Sequence, residues 1–234
     1  MVSFVFKSED VRNIKIAVGS LNQIPIHWEN NMNNIAASIQ EARLMKVDVL
    51  LLPELCITGY GCEDLFLSDW IYEKTLNLIK ELLPLSEKIM ISVGLPIKHE
   101  GKRYNCSAVL KDGKIMGFVP KQFLANDGVH YEHRWFEPWT SGKISEIQSP
   151  MGLVPFGDLL FETNGYSIGF EICEDAWKKE KRPGYKLKER GADVILNPSA
   201  SHFSFAKTQK RENEVVLEAC KNLNVIYAYA NLVG

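Results

Sequence analysis

Cysteine is sparse: five residues among 234, at Cys56, Cys62, Cys106, Cys173 and Cys220. No two of them have C-x-x-C spacing. An odd and scattered set excludes a disulfide scaffold and reads as reduced thiols in a cytoplasmic protein, one of them free to act as a nucleophile. Positive charge is not in surplus either. Lys plus Arg number 27 against 29 Asp plus Glu, a formal net charge of −2, which speaks against nucleic acid or an anionic membrane as partner. No apolar run approaches the length of a membrane span. The start, MVSFVFKSED, carries an apolar patch too short for a secretory signal. Repeats, low-complexity segments and linkers are missing. So is a phosphate-binding G-x-x-x-x-G-K-[ST] loop, because Ser141-Gly142-Lys143 lacks both the upstream glycine and the following hydroxyl residue.

What is present is an ordinary globular balance, 46% hydrophobic, 10% aromatic and 24% charged, enough for one large domain over residues 1–234. Strand and helix patterns alternate. Ile14–Leu21 reads as a strand, and residues 30–46 as a helix with Ile35, Ile39 and Ala42 on one face. Val47–Leu52 is apolar almost throughout, the mark of a strand buried on both faces. Ser68 is placed to cap a helix through Leu83 whose stripe is Ile71, Leu78, Ile79 and Leu82. Ile89–Leu95 is the next strand, and Asp112-Gly113 and Asn164-Gly165 mark two hairpins. Between them lies a long polar and aromatic stretch, Lys121–Gly142. Strands are expected at Tyr166–Ile172, Val194–Asn197 and from Val225 onward. Helices are expected at Ala176–Arg190, interrupted by Pro183-Gly184, and at Lys207–Asn222. The mixture predicts an α/β fold with a mixed sheet or two packed sheets. Because Gly234 follows an apolar strand almost at once, the sequence is expected to be truncated at its C-terminus.

Three polar residues share one placement. Glu54 follows VDVLLLP, Lys121 follows KIMGFVP, and Cys173 ends YSIGFEI. Open α/β sheets bind ligands at the carboxyl ends of their strands. A carboxylate, an ammonium and a thiol at that edge form a set suited to acyl transfer: a base, a stabiliser of developing oxyanion charge and a nucleophile. Taken singly, each has another reading: a small buried hydrophobe for Cys173, a turn residue for Glu54, a solvated loop cation for Lys121.

The wording around these residues, PELCITGYG, VPKQFLANDG and GFEICEDAW, resembles the three motif blocks of the nitrilase, or carbon–nitrogen hydrolase, superfamily, in order and across essentially the whole chain. The resemblance implies an α-β-β-α sandwich and a triad of Glu54 as proton acceptor, Lys121 as oxyanion stabiliser and Cys173 as nucleophile. FLANDGVHYEHRWFEPW and NPSASHFSFAK are similar to the glutaminase domain of glutamine-dependent NAD+ synthetases. That resemblance implies hydrolysis of L-glutamine through a cysteine thioester, with ammonia passed to a C-terminal synthetase domain that amidates deamido-NAD+. It also implies Glu132 as a second glutamate positioning the lysine. For the substrate it implies Asp127, Glu174, Ser201 and Lys207 as contacts, with Lys207 at the α-carboxylate and Glu174 at the α-amino group. Asp127 stands where many bacterial members have tyrosine, and Lys207 where arginine is common. No cofactor is implied for this domain. ATP and Mg2+ are implied for the synthetase domain, whose Ser-Gly-Gly-x-Asp-Ser loop does not occur here. A symmetric homo-oligomer is implied as well.

His130 and His133 are spaced as an H-x-x-H corner, but no second cluster completes a metal site, so no metal is expected. Tyr131, Trp135, Phe136 and Trp139 are expected to pack over the site rather than to stack on bases. Tyr60 and Trp177 stand close in sequence to Glu54 and Cys173, as pocket lining or as core. Two alternatives stay open at this point. One is a stand-alone amidase acting on another small amide; the other is a sandwich that binds partners without doing chemistry.

Overall fold

Eleven strands build two sheets in the computed structural model, which describes residues 13–233. The opening segment MVSFVFKSED and Gly234 lie outside the described residues. In chain order the strands are β1 (Ile16–Val18), β2 (Val49–Leu51), β3 (Met90–His99), β4 (Lys102–Lys111), β5 (Lys114–Pro120), β6 (Ile144–Ser149), β7 (Gly152–Gly157), β8 (Phe161–Thr163), β9 (Tyr166–Phe170), β10 (Val194–Ser199) and β11 (Ile226–Asn231). The larger sheet has the order β1-β2-β3-β4-β5-β7-β6 and the smaller β11-β10-β9-β8. Both are mixed. Strands β1, β2 and β3 run parallel, and β3, β4 and β5 form an antiparallel meander. In the smaller sheet β9, β10 and β11 are parallel, with β8 antiparallel at the edge. The helices are α1 (Trp28–Leu44), α2 (Trp70–Leu82), α3 (Glu132–Trp135), α4 (Gly184–Glu189), α5 (Lys207–Arg211) and α6 (Glu218–Leu223).

The two-residue period of a strand sorts β2 between two cores. Val49 and Leu51 join Val109, Val119, Ile168, Phe170, Val194 and Leu196 in the core between the sheets. Leu50 faces the other way, into a core with Ile35 and Ile39 of α1 and Ile79 and Leu82 of α2. Strand β10 repeats the pattern, with Ile195 turned outward against Leu187, Ala219 and Leu223 of the helices on that side. These layers make the α-β-β-α sandwich that the resemblance implies, and they are the two-packed-sheet form of the mixed α/β fold expected from the residue pattern.

The Asp112-Gly113 and Asn164-Gly165 turns are where they were expected. Both residues of each turn have positive φ, 48° and 74° in the first and 51° and 76° in the second, as a tight hairpin requires. Other expectations change. Strand β1 is three residues, Ile16–Val18, rather than Ile14–Leu21. Helix α2 starts at Trp70, not after Ser68. Asp69 takes the cap position without capping, because its carboxylate accepts from Lys98 Nζ at 2.7 Å. Strand β3 runs past Leu95 to His99. Strand β2 pairs only with Met90–Ser92, so the missing N–H of Pro96 costs no ladder bond on that side. The hairpin β6–β7 was not expected, since Pro155 interrupts its apolar pattern. The helix expected over Ala176–Arg190 is two short 3-10 turns and α4. The helix from Lys207 carries a π-helical segment, Glu212–Leu217, between α5 and α6.

Candidate active site

Glu54 lies three residues past β2, Lys121 directly after β5, and Cys173 three residues past β9. Strands β2 and β5 point the same way in the larger sheet, so their carboxyl ends share an edge. The loop carrying Glu54 crosses β3 at Gly94. There a Cβ would sit 2.3 Å from Leu55 N and 2.4 Å from Pro53 O, so only glycine leaves room. Cys173 has φ of 48°, left-handed backbone that a side chain rarely adopts. It opens the 3-10 turn Cys173–Trp177. Asp175 fastens this turn to the lysine segment. Its Oδ2 accepts from Ile172 N at 2.8 Å, and its Oδ1 accepts from Phe123 N at 2.7 Å and Gln122 N at 3.1 Å.

Lys121 Nζ donates to Glu54 Oε1 at 2.6 Å and to Glu132 Oε1 at 2.8 Å, and all three side chains are fully buried. Asn105 Nδ2 donates to Glu54 Oε1 at 2.7 Å. Ala200 N, past β10 of the smaller sheet, donates to Glu54 Oε2 at 2.8 Å. Glu132 Oε2 accepts from Ala125 N at 2.7 Å, and its Oε1 also accepts from the Tyr60 hydroxyl at 2.9 Å. An ammonium has three N–H donors. Two are spent on the glutamates, and the third has no protein partner among the described residues.

Burial sets the electrostatics. It raises Glu54 above the ordinary carboxylate range, against the pull of the Lys121 ammonium. Burial alone would lower Lys121, but Glu132 and Glu54 more than offset it and keep the ammonium charged. The Cys173 thiol is pushed well up by burial and then by the Glu54 carboxylate, so it rests protonated. The glutamates and the lysine carry one net negative charge. Passing the thiol proton to Glu54 moves that negative charge to the sulfur and leaves the net charge of the cluster with Cys173 unchanged, which avoids the cost of adding a second unpaired charge to a buried site.

Cys173 opens onto a cavity of about 380 Å³ whose wall includes Asp127, Glu174, Ser201 and Lys207. All four residues expected from the sequence to contact substrate therefore line the same space as the thiol. Glu174 is paired with Lys178. Ser201 is held by Asn231 of β11, whose Oδ1 accepts from Ser201 N at 2.9 Å and whose Nδ2 donates to Ser201 O at 3.1 Å. Burial lowers the Lys207 ammonium from its ordinary value. Trp177 lines this cavity, and Tyr60 takes its place on Glu132. The parts not singled out in the sequence are Asn105, Asp175 and His202. The Asp two residues after the cysteine was the one available signal. His130 lines the cavity whereas His133 lines a separate depression. No group of three metal-ligating side chains occurs among the described residues. No helix among them is long and apolar enough to cross a membrane.

The family model of carbon-nitrogen hydrolases matches residues 15–229. The chain belongs to the carbon–nitrogen hydrolase family. Among curated relatives, the glutamine-dependent NAD(+) synthetase of Mus musculus is 36% identical over 234 residues, covering 95% of this chain and 32% of its own length. The Arabidopsis thaliana protein of the same description is 34% identical over 235 residues, covering 96% and 32%. The chain thus spans about a third of the length of these relatives. The crystal structure of a glutamine-dependent NAD(+) synthetase from Cytophaga hutchinsonii superposes with a TM-score of 0.87 at 44% identity, covering 94% of this chain and 36% of that one. An amidase from Nesterenkonia sp. superposes at 0.75 with 18% identity, covering 94% and 76%, a likeness of fold alone. This carbon–nitrogen hydrolase domain holds a buried carboxylate, an ammonium with one N–H to spare, and a thiol at a cavity wall.

Proposed function

We propose that this chain hydrolyses the side-chain carboxamide of L-glutamine to glutamate and ammonia through a thioester on Cys173. The observation that carries the reading is the cavity itself. It meets the thiol on one wall, and elsewhere presents a cation, Lys207, and a carboxylate, Glu174. These are the charges needed to hold an α-carboxylate and an α-ammonium a few bonds from the reacting amide. The chemistry runs as two acyl transfers. Glu54 takes the Cys173 proton as the sulfur bonds to the carboxamide carbon, and charge on the carbonyl oxygen is met by the third N–H of Lys121 and by Glu174 N–H. As the C–N bond breaks, Glu54 returns its proton to the leaving nitrogen and ammonia departs. Water then attacks the thioester carbon, again losing its proton to Glu54. The C–S bond breaks, and the proton goes back to the sulfur. For the intact protein we infer that the ammonia serves a synthetase part that amidates deamido-NAD+ with ATP and Mg2+; what supports the coupling to NAD+ formation is that the relatives are described as glutamine-dependent NAD(+) synthetases.

The test compares ammonia release from L-glutamine, L-asparagine and butyramide by this chain and by C173A, together with mass labelling by a glutamine-derived diazo-ketone. Release from glutamine in preference to the other amides, lost in C173A, and one adduct at Cys173 are expected. An adduct elsewhere, or equal turnover of all three amides, would overturn the assignment. In the intact protein C173A is expected to abolish glutamine-driven NAD+ formation and to spare ammonia-driven formation.

A further inference from the structure

A row of hydrogen bonds leads from the cavity back to Glu132. The Tyr60 hydroxyl is 2.9 Å from Glu132 Oε1 and 3.0 Å from His130 Nδ1. His130 Nε2 is 2.9 Å from His202 Nδ1. Lys207 Nζ lies 3.3 Å from His202 Nδ1 and 3.5 Å from its Nε2. The direction of the row follows from the count of protons. Glu132 holds the Lys121 ammonium and Ala125 N–H as acceptor, so the single phenolic proton of Tyr60 goes to Glu132. Tyr60 can then only accept from His130, which puts the proton of that imidazole on Nδ1. With the ring of His130 neutral its Nε2 is bare and accepts from His202 Nδ1–H, which leaves the lone pair of His202 on Nε2, 3.5 Å from Lys207 Nζ. Each donor in the row points toward Glu132. Burial, and then the neighbouring His202, lower His130 from its ordinary value and favour the neutral ring that this order needs.

Geometry and proton count place a proton on Nδ1, burial keeps the ring neutral, and the tautomer so selected has a consequence for Lys121. Resting on the reading of the site as an amide hydrolase, we propose that His130 is a positioning residue. As the neutral Nδ1–H form it fixes Tyr60, and through Tyr60 and Glu132 the ammonium of Lys121, while His202 extends the row to Lys207 on the cavity wall. His130 does not touch the reacting atoms. Its ring stands edge-on to Tyr60 with centroids 5.6 Å apart, and it lines the cavity beside Asp127 and Cys173. Glu132 would keep Lys121 without it, but Tyr60 would lose the partner that holds its proton on the carboxylate. The third N–H of Lys121 would then be less well aimed at a developing oxyanion, a loss felt in the transition state more than in binding.

Three substitutions separate positioning from mere packing. His130→Asn puts an amide N–H near the place of Nδ1, His130→Gln reaches the place of Nε2 instead, and His130→Phe supplies neither. Expected is a kcat for ammonia release lower by about tenfold, the rate equivalent of one lost hydrogen bond, in H130F and H130Q, with KM little changed, and recovery of most of that loss in H130N. Full kcat in H130F, a loss confined to KM, or H130N as impaired as H130F would overturn the proposal. Side-chain 15N shifts of His130 in the unaltered chain at neutral pH give a readout free of any substrate. The Nδ1–H neutral form is expected, and an Nε2–H or doubly protonated ring would overturn the proposal. That measurement also keeps the two readings apart, because it stands whether or not glutamine is the amide hydrolysed.

Discussion

Cys173 combines two properties that pull against each other. It is a nucleophile in waiting, yet burial and the Glu54 carboxylate hold its thiol protonated far above the ordinary value. A thiol in that state reacts slowly with a small alkylating agent and quickly only when a bound electrophile draws the proton to Glu54. Iodoacetamide at neutral pH is therefore expected to label Cys173 slowly, whereas a glutamine-derived diazo-ketone labels it stoichiometrically; peptide mass mapping after each treatment checks this. Burial pushes Cys56 up to about 12 and Cys62 up to about 11, so neither competes for the reagent. Rapid labelling of Cys173 by iodoacetamide would mean that the thiolate preexists. The base sets the pH dependence. Glu54 must be ionised to take the thiol proton, and its pKa lies above the ordinary carboxylate value. The acid limb of kcat/KM is thus expected to rise with pH through a value displaced upward from about 4.3, and to vanish with the activity in E54Q. A limb at the ordinary value would show that the burial seen at Glu54 is not retained in solution.

The elements hold the residues by close contact more than by length. The loop after β2 reaches the site only because β3 offers Gly94 beneath it, where a Cβ would meet Leu55 N, Pro53 O and, at 2.8 Å, Glu54 C. All three are backbone, so the strain has no flexible side chain to absorb it. Gly94→Ala is expected to destabilise the fold by about 1–3 kcal/mol and to cut kcat by more than that loss of folded protein explains, because it moves Glu54. Thermal unfolding alongside kcat per folded molecule tests the pair, and a variant with unchanged activity would show that the loop can shift as a body. Such contacts also mark what could be read in the sequence. The run VDVLLL, the Asp-Gly and Asn-Gly turns and the polar residues after three apolar runs carry local signals, and they placed β2, two hairpins and Glu54, Lys121 and Cys173 at strand ends. Pro96 and Pro155 hid strand residues because their tolerance depends on which edge lies unpaired, which no local pattern records. Tyr60, His130 and His202 were equally hidden as a row, since they are drawn from loops 70 or more residues apart. Asn105 sits mid-strand in β4, where its neighbours report a strand and nothing of Glu54.

Across the whole molecule, the site is where the two sheets are joined at one end. Glu54 follows β2 of the larger sheet, yet its Oε2 takes the N–H of Ala200, just past β10 of the smaller one, at 2.8 Å, across 146 residues of chain. Asp175, just past β9, holds the backbone of Gln122 and Phe123 just past β5 in the same way. The core between the sheets brings these ends together, and the polar bonds fix their distance. A ligand in the cavity should therefore be felt by both sheets at once. In C173A, which binds the amide without consuming it, L-glutamine at a hundredfold excess over its Kd is expected to add about 2.7 kcal/mol to the unfolding free energy. Hydrogen exchange should slow together at Ala125 on the larger-sheet side and at Ala200 and Ser201 on the smaller-sheet side. Protection confined to one side would mean that the cavity belongs to one sheet and that Glu54 and Cys173 do not meet the substrate together. No change in unfolding would instead remove L-glutamine as the ligand, leaving the family and the buried charge cluster as they stand.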